Sequence, residues 1–587
     1  MYLRRFCLTL TCLLLAHALS ARVDKALLKS YKAAKKYYAA SNYAATMATL
    51  EPLIALEEKN DLTPYALFYY ALAAYYHEEP ALAACTFITL SEEFPDWEQR
   101  GEVWYWLGQL RFEAKDYKAG IAYLANITDK RLAKPVGQLK ACFLRQLADV
   151  AALQMLLSLY PEDKVIAQVL FDQVAHQPLI RRDPKLLKLL ARDYNLVFEE
   201  HNPLKGIASL QKESYDVAVF LPFFVDEVDY EEESSNLFVI TLYQGIKAAV
   251  ATLRDQGIKI NLFAYDTKKD PETTAALLAQ KEIKRMDLII GPLYAATVPL
   301  VTDFARRHRI NLFNPLSENA DVVGDNPFAF LFKPSLETQA RKAAEFTLQN
   351  APEEISVGIF YGTSAADAIQ AQTYKQHIER STGKEVALML PIAQEEAQYF
   401  LYKLRLAEEK ADGKKEEQAA ENEENVLLSL ASLTHVYIAS KDVLIATNVL
   451  SALETLNSTP WIIGHATWLA QEALTLDQLQ RLRLFLVAPD HIDYQGKGIH
   501  DFRRHFYDLF AQYPSYYACT GYDMMLFLGH MLDQHGVYFQ KHWQGQPYPG
   551  AIFTGVAYGI HHDNQQVPIV RFQKDRFVIC NQAMVRD

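Results

Sequence analysis

The residues of this 587-residue chain that could do chemistry are few and scattered. His561, His562 and Asp563 are of metal-ligating type, but neighbours in extended chain point to opposite faces. Asp266 and Asp523 are of the type that pairs for acid–base work, and nothing beyond type brings them together. The sequence holds no nucleophile elbow, no phosphate-binding loop, no His-Glu-x-x-His and no Cys-x-x-Cys. The reading is a non-enzymatic protein that needs no cofactor and no metal. Two stretches carry the chemistry of binding instead. From Asp226 to Glu233 six of eight residues are acidic, which would repel anions and favour cations at a cleft beside them. From Tyr294 to Thr297 the chain enters a helix, whose first N–H groups would face an anion.

These residues are positioned by alternating strands and helices. Asp287 to Ser317, DLIIGPLYAATVPLVTDFARRHRINLFNPLS, reads strand, turn, helix, strand. Leu288–Ile290 is a short apolar run, as in a strand buried on both faces. Gly291-Pro292 breaks it. Val298, Val301, Phe304 and Ala305 follow at helical spacing, and Asn311 to Asn314 is the next strand. Such a unit builds a parallel sheet whose ligands sit at the carboxyl ends of its strands. Here those ends are Gly291–Thr297 and Pro315–Asn319.

This stretch resembles the core of the type I periplasmic binding proteins, the leucine/isoleucine/valine-binding group. The resemblance extends over about Tyr215 to Val578 and includes VAVFLPF at Val217–Phe223, the GYDMMLFL helix at Gly521–Leu528, FTGVAYGI and VRFQKDRFV. It implies a two-lobed α/β fold with a ligand cleft between the lobes. It also implies where a ligand's charged ends would be held: Tyr294, Ala295, Ala296 and Thr297, then Leu316, Ser317 and Asn319, with Ser440-Lys441-Asp442 facing them from lobe 2. The family's turn is serine-rich; here it is Ala295-Ala296 with only the Thr297 hydroxyl.

Length points to two to four domains. The apolar share of 50% and charged share of 22% are ordinary for globular protein. The net charge of −12, without a basic stripe along the fold, argues against nucleic acid. Arg4-Arg5, an apolar run from Phe6 to Ala16 and small residues to Ala21 form a signal peptide over residues 1–21, which implies export. The run is too short to span a membrane, and Cys7 and Cys12 do not sit at a lipid-attachment junction. Cys85, Cys142, Cys519 and Cys580 remain; two pairings are conceivable, Cys85–Cys142 and Cys519–Cys580, and free thiols are the reading preferred.

Residues 22–210 read as helical repeats. Ala34, Ala71 and Gly108 are spaced by 37, as are Tyr38, Tyr75 and Phe112, and Leu50, Phe87 and Leu124. Each unit breaks mid-way, at Ser41-Asn42, Glu79-Pro80 and Lys115-Asp116, which predicts stacked helical hairpins. The unit VWYWLGQLRFEAKDYKAGIAYL resembles a tetratricopeptide repeat at Trp104, Leu107, Gly108, Tyr117 and Tyr123. A helical pattern broken at Pro161 and Pro184 continues to Val197.

Residues 214–587 read as the two-lobed domain, lobe 1 beginning over 214–336 and lobe 2 over 337–465. Predicted elements are a helix Asn236–Arg254, a strand Ile260–Tyr265, a helix Pro271–Lys284, a strand Phe328–Lys333, and strands at Val357–Tyr361, Val386–Leu390, His435–Ala439, Trp461–Ile463 and Leu484–Val487. Residues 407–425, almost wholly polar, read as a charged surface insertion. Ile569–Phe572 and Phe577–Cys580 read as a closing antiparallel pair.

The fold class expected is thus multidomain, an all-α repeat array followed by a two-lobed α/β domain. The combination resembles the lipoprotein activators of peptidoglycan synthases in Gram-negative envelopes. It implies a periplasmic interaction protein whose repeats engage an envelope protein partner and whose lobes act as scaffold or ligand sensor. The alternative is the solute-binding component of an uptake system for an amino acid or peptide.

Overall fold

The computed structural model describes residues 25–55, 59–147, 149–197, 204, 206–225, 236–350, 355–393, 432–455, 458–471, 474–543 and 545–581. The stretch read as a signal peptide, the acidic run Asp226–Glu233 and the stretch 407–425 read as an insertion lie outside these residues. The chain forms two compact units: Met1–Ala175 with Pro184–Phe198, and His176–Asp183 with Glu199–Asp587.

The described part of unit 1 is helical, with turns between its helices. Its helices are α1 (Lys25–Ala39), α2 (Tyr43–Ile54), α3 (Thr63–Tyr76), α4 (Pro80–Glu93), α5 (Arg100–Glu113), α6 (Tyr117–Ala125), α7 (Ala133–Leu144), α8 (Val150–Leu159), α9 (Lys164–Ala175) and α10 (Pro184–Tyr194). The 37-residue period recurs in the backbone of the turns. Ser41, Glu78 and Lys115, each 37 apart, close the first helix of a hairpin at φ of 58, 65 and 61°. That left-handed residue reverses the chain in one step. The next residue starts the return helix: Asn42 and Asp116 accept the Ala45 and Ala119 N–H groups, and Pro80 opens α4. Ala34 and Ala71 are fully buried, and a methyl group on Gly108 would lie 2.7 Å from Leu124. Small residues at this position let paired helices approach closely.

Unit 2 has two lobes, each with one large sheet, and a small two-stranded sheet besides. The first sheet has the order β2-β1-β3-β4-β5, all parallel: β1 (Tyr215–Leu221), β2 (Ile260–Asp266), β3 (Leu288–Ile290), β4 (Asn311–Asn314) and β5 (Ala329–Leu331). The helices α11 (Leu237–Asp255), α12 (Pro271–Leu278) and α13 (Val298–His308) alternate with these strands. The chain then crosses to lobe 2 through Pro334 into α14 (Leu336–Asn350). There β6 (Val357–Gly362), α15 (Ala365–Thr382), β7 (Leu388–Ile392), β8 (His435–Ala439), α16 (Val443–Thr455), β9 (Trp461–His465), α17 (Thr467–Ala470), α18 (Leu476–Arg481) and β10 (Leu484–Val487) follow.

Two later helices, α19 (Lys497–Phe510) and α20 (Tyr516–His535), return to the core of lobe 1. The short β11 (Pro547–Tyr548) and β12 (Val556–Ala557) pair with each other, and β13 (Ile569–Gln573) and β14 (Arg576–Ile579) finish the lobe 2 sheet. Its order is β7-β6-β8-β9-β10-β13-β14, with β13 antiparallel to β10 and β14.

Helix α11 is long and apolar enough to cross a membrane, yet it is a core helix here. Val239, Leu242, Ile246, Ala249 and Leu253 are fully buried. It lies against α20 at backbone distance. A methyl group on Gly245 would come 2.1 Å from the Ala518 carbonyl, and one on Gly521 would come 2.2 Å from that of Leu242.

Three sequence expectations are corrected. The helix expected over Pro271–Lys284 stops at Leu278, and a separate turn spans Ile283–Arg285. In one continuous helix Ile283 would lie about 140° around from Leu278; the break lets both enter the same core. The strand expected over Phe328–Lys333 is only Ala329–Leu331, because the Phe328 N–H turns back to Asn326 Oδ1 and Lys333 already belongs to the crossing. The strand expected at Val386–Leu390 runs from Leu388 to Ile392. The four cysteines among the described residues are free thiols, and burial pushes that of Cys519 up to about 12.

Candidate functional site

The cleft edge of lobe 1 is made by the turns after β3 and β4. Gly291 ends β3 at φ 101°, and a methyl group there would meet the Phe220 carbonyl at 2.2 Å, so only glycine fits. Asn314 ends β4 and is buried. Its Nδ2 donates to the Pro292 carbonyl (2.5 Å), and its Oδ1 accepts from the Leu316 and Ser317 N–H groups (3.1 and 2.7 Å). One asparagine thus ties both turns together.

The residues expected to hold a ligand form this edge, but their polar atoms serve the turns. The Thr297 hydroxyl is buried and donates to the Tyr294 carbonyl at 3.0 Å. That carbonyl also takes the Thr297 and Val298 N–H groups, so two donors expected for an anion are engaged within the turn. Ala295 is exposed and has no polar side chain. The Tyr294 ring is covered by the Lys269 ammonium at 4.3 Å from its centroid. Ser317 Oγ accepts the Asn319 N–H, and Asn319 Oδ1 accepts that of Asp321.

Lobe 2 repeats the pattern. Ser440 follows β8 and is buried; its Oγ accepts the Asp442 N–H, and its carbonyl accepts the Trp468 indole N–H at 3.1 Å. Gly464 gives that indole its place, since a methyl group there would overlap the ring. Behind it His465 Nε2 meets Gln370 Oε1 at 2.7 Å, and burial holds the imidazole down to about 3. That histidine is neutral at any physiological pH.

The structure adds two charges that sequence reasoning missed as a pair. Glu318, between Ser317 and Asn319, forms an ion pair with Lys441, beside Ser440. Glu318 also accepts from Gln339, whose backbone starts lobe 2. The pair joins the two cleft edges. A charge in each of two strand-end loops was the available signal, but only the fold brings the loops together.

A cavity of about 340 Å³ lies along one face of α20. Tyr516, Thr520, Asp523, Phe527 and His530 form its floor at successive turns, and Pro549–Ala551 and Phe553 form a wall. Asp523 builds that wall. Its carboxylate accepts the N–H groups of Ala551, Ile552 and Phe553 at 2.8–3.1 Å, while burial pushes it up to about 6. Asp266 instead accepts from Val225 and Lys268, so each carboxylate serves its own loop. At one end of the cavity His530 lies between Gln256 and the Tyr548 hydroxyl (2.7 and 2.5 Å). At the other, Lys333 pairs with Asp490 at 3.2 Å and covers the Tyr516 ring. The cavity's lining includes none of Tyr294, Ala295, Thr297, Ser317, Asn319 or Ser440.

His562 and Asp563 diverge, as their adjacency predicts. His562 stacks on Phe330 and meets the Ala329 carbonyl, whereas Asp563 accepts the Ser335 N–H. Among the described residues no three His, Cys, Asp or Glu side chains gather as a metal site would require.

Residues 238–541, more than half of the chain, match the family described as periplasmic binding protein. The chain belongs to that family. Among solved structures this periplasmic binding protein is similar to full-length LpoA from Haemophilus influenzae, at 12% identity and a TM-score of 0.44 over 94% of each chain. It is also similar to an ABC transporter substrate-binding protein from Desulfitobacterium hafniense in complex with Leu (17% identity, TM-score 0.41, 63% of this chain and 100% of that one). A third is the branched-chain amino acid transporter substrate-binding protein LivJ from Streptococcus pneumoniae with isoleucine (12%, 0.39, 62% and 97%). A search of curated proteins finds no match.

Proposed function

We propose that this periplasmic binding protein is a non-enzymatic interaction protein of the Gram-negative periplasm. In this reading its helical hairpins, of tetratricopeptide-like kind, engage an envelope protein. The two-lobed unit is a scaffold or sensor and not a high-affinity amino-acid receptor. One observation supports this most: the hydroxyls at the positions where the family holds an amino acid are engaged by their own turns. The Thr297 O–H and the Thr297 and Val298 N–H groups are then no donors to a carboxylate placed there, and a buried group left short of a partner costs about 1–3 kcal/mol. The Glu318–Lys441 pair adds to this by joining the edges that a ligand would have to separate.

The second reading, a solute-binding component of an uptake system, is favoured by family membership and by the cavity along α20. Calorimetry with the twenty amino acids separates the two. No binding tighter than about 10 μM is expected, a bound near −7 kcal/mol. A tight isotherm lost on Thr297→Val or Ser317→Ala would establish the uptake reading instead.

A further inference from the structure

Helix α1 breaks two local rules at once. It carries Lys25, Lys29, Lys32, Lys35 and Lys36 and no carboxylate. The chain's net charge is −12, so setting aside the +5 of α1 leaves −17 on the rest. Lys25, Lys29, Lys32 and Lys36 follow at intervals of four, three and four residues, and all four are exposed. At about 100° per residue they share roughly 60° of arc. Like charges at these spacings repel, and Lys25 and Lys29 stand where the helix dipole is already positive. Among the described residues none of the four has an ion-pair partner.

The opposite face explains why the ridge points outward. Ala34 is fully buried, Leu27 and Tyr31 pack around it, and Tyr38 meets Tyr69 edge-on at 5.4 Å. These residues lie about 180° from the ridge, so packing against α2 and α3 holds the lysines outermost. A device that weakens its own helix without a compensating contact is characteristic of a functional surface.

We propose that this lysine ridge docks unit 1 onto an anionic phospholipid surface. The ridge is straight, with small Ala33 and Ala39 beside it, so a flat partner can reach all four ammonium groups together. It contains lysine and no arginine, which suits scattered phosphates better than planar carboxylates. No aromatic or long aliphatic side chain lies within its arc, so the helix rests on headgroups without entering the acyl layer. This surface is independent of the cleft and of the reading given above for it.

The test is flotation of residues 22–587 with vesicles, the apolar run Phe6–Ala16 being removed so that it contributes nothing. With about one-third phosphatidylglycerol in phosphatidylcholine, binding is expected at about 0.02 M salt and loss at about 0.3 M, where charges are screened within several ångströms. Pure phosphatidylcholine should bind nothing. Each lysine near the surface contributes about fivefold. The combined variant Lys25→Gln, Lys29→Gln, Lys32→Gln, Lys36→Gln should therefore lose about 10²–10³-fold, with a melting temperature no lower than the parent's. A matched variant of exposed lysines elsewhere on unit 1, Lys115→Gln, Lys118→Gln, Lys130→Gln, Lys134→Gln, has the same net charge and should bind within about twofold of the parent. Failure to bind the anionic vesicles would overturn the proposal. So would equal loss in both variants, which would make net charge the only cause, or displacement of the protein from vesicles by polyglutamate at equal charge, which would make the occupant an acidic polypeptide.

Discussion

Unit 1 and the lobes of unit 2 both bring small residues to helix contacts, but across very different stretches of chain. In unit 1 Gly108 on α5 faces Leu124 on α6, within one hairpin. In lobe 1 Gly245 on α11 faces Ala518 on α20, and most of the α/β domain lies between them in sequence. The first contact is legible as a repeat; the second is invisible until the chain has crossed to lobe 2 and back. Unit 1 should therefore tolerate damage hairpin by hairpin, as stacked repeats do. Unit 2 should fail as a whole when one distant contact is lost.

Acid should divide the two most strongly. Burial holds His435 and His562 down to about 4 and His465 to about 3. The unfolded chain takes up these protons near pH 6.5, so the histidines favour the folded state above that pH and their contribution is lost as pH falls through 6.5 towards 4 and 3. Asp523, pushed up to about 6, acts the opposite way, since its protonation favours the folded state between about pH 6 and 4. With His561, also held down to about 4, and Asp563, also pushed up by burial, four histidines outweigh two carboxylates, and unit 2 should lose on the order of 5 kcal/mol between pH 7 and 4. Among the described residues unit 1 has one histidine, His77, which is exposed. Hydrogen exchange at the two pH values, corrected for intrinsic rates, should show protection falling in lobes 1 and 2 and little change in α3–α9. Equal loss in both units would break the comparison.

A smaller effect is expected from Gly521→Val. Its side chain would strike the Leu242 carbonyl, which is backbone and cannot yield. Unit 2 should lose about 3 kcal/mol or more, seen as a lowered urea midpoint for its tryptophan signals while the helical signal of unit 1 is retained. The smallest effect should come from Gly108→Ala. There the new methyl meets the Leu124 side chain at 2.7 Å and the Gly120 carbonyl at 3.2 Å; the side chain can shift and the carbonyl need give only slightly, and alanine also favours the helix by about 1 kcal/mol. The net change should stay within about 1 kcal/mol and be confined to α5 and α6 in exchange experiments; spread into α1–α4 would show that the hairpins are not independent.

Much of the fold was written in local pattern. The strands Asn311–Asn314, His435–Ala439 and Leu484–Val487 lie where short apolar runs between breakers place them, and the hairpin turns lie at Ser41, Glu78 and Lys115. The candidate site was legible only as an address. Ser317 and Ser440 do stand at strand ends, but their hydroxyls turned out to serve the turns. Hydrogen bonds two or three residues apart depend on loop conformation, which residue type alone does not specify.

The sequence by itself determined the period of the helices and the alternation of strand and helix, because both depend on residue spacing along the chain. Only the tertiary structure decided that Glu318 meets Lys441, that Asp523 holds the 551–553 loop, and that α20 returns to α11. Those contacts join segments far apart in the chain. Their formation depends on which surfaces remain to be buried after each lobe has folded, and no local pattern carries that information.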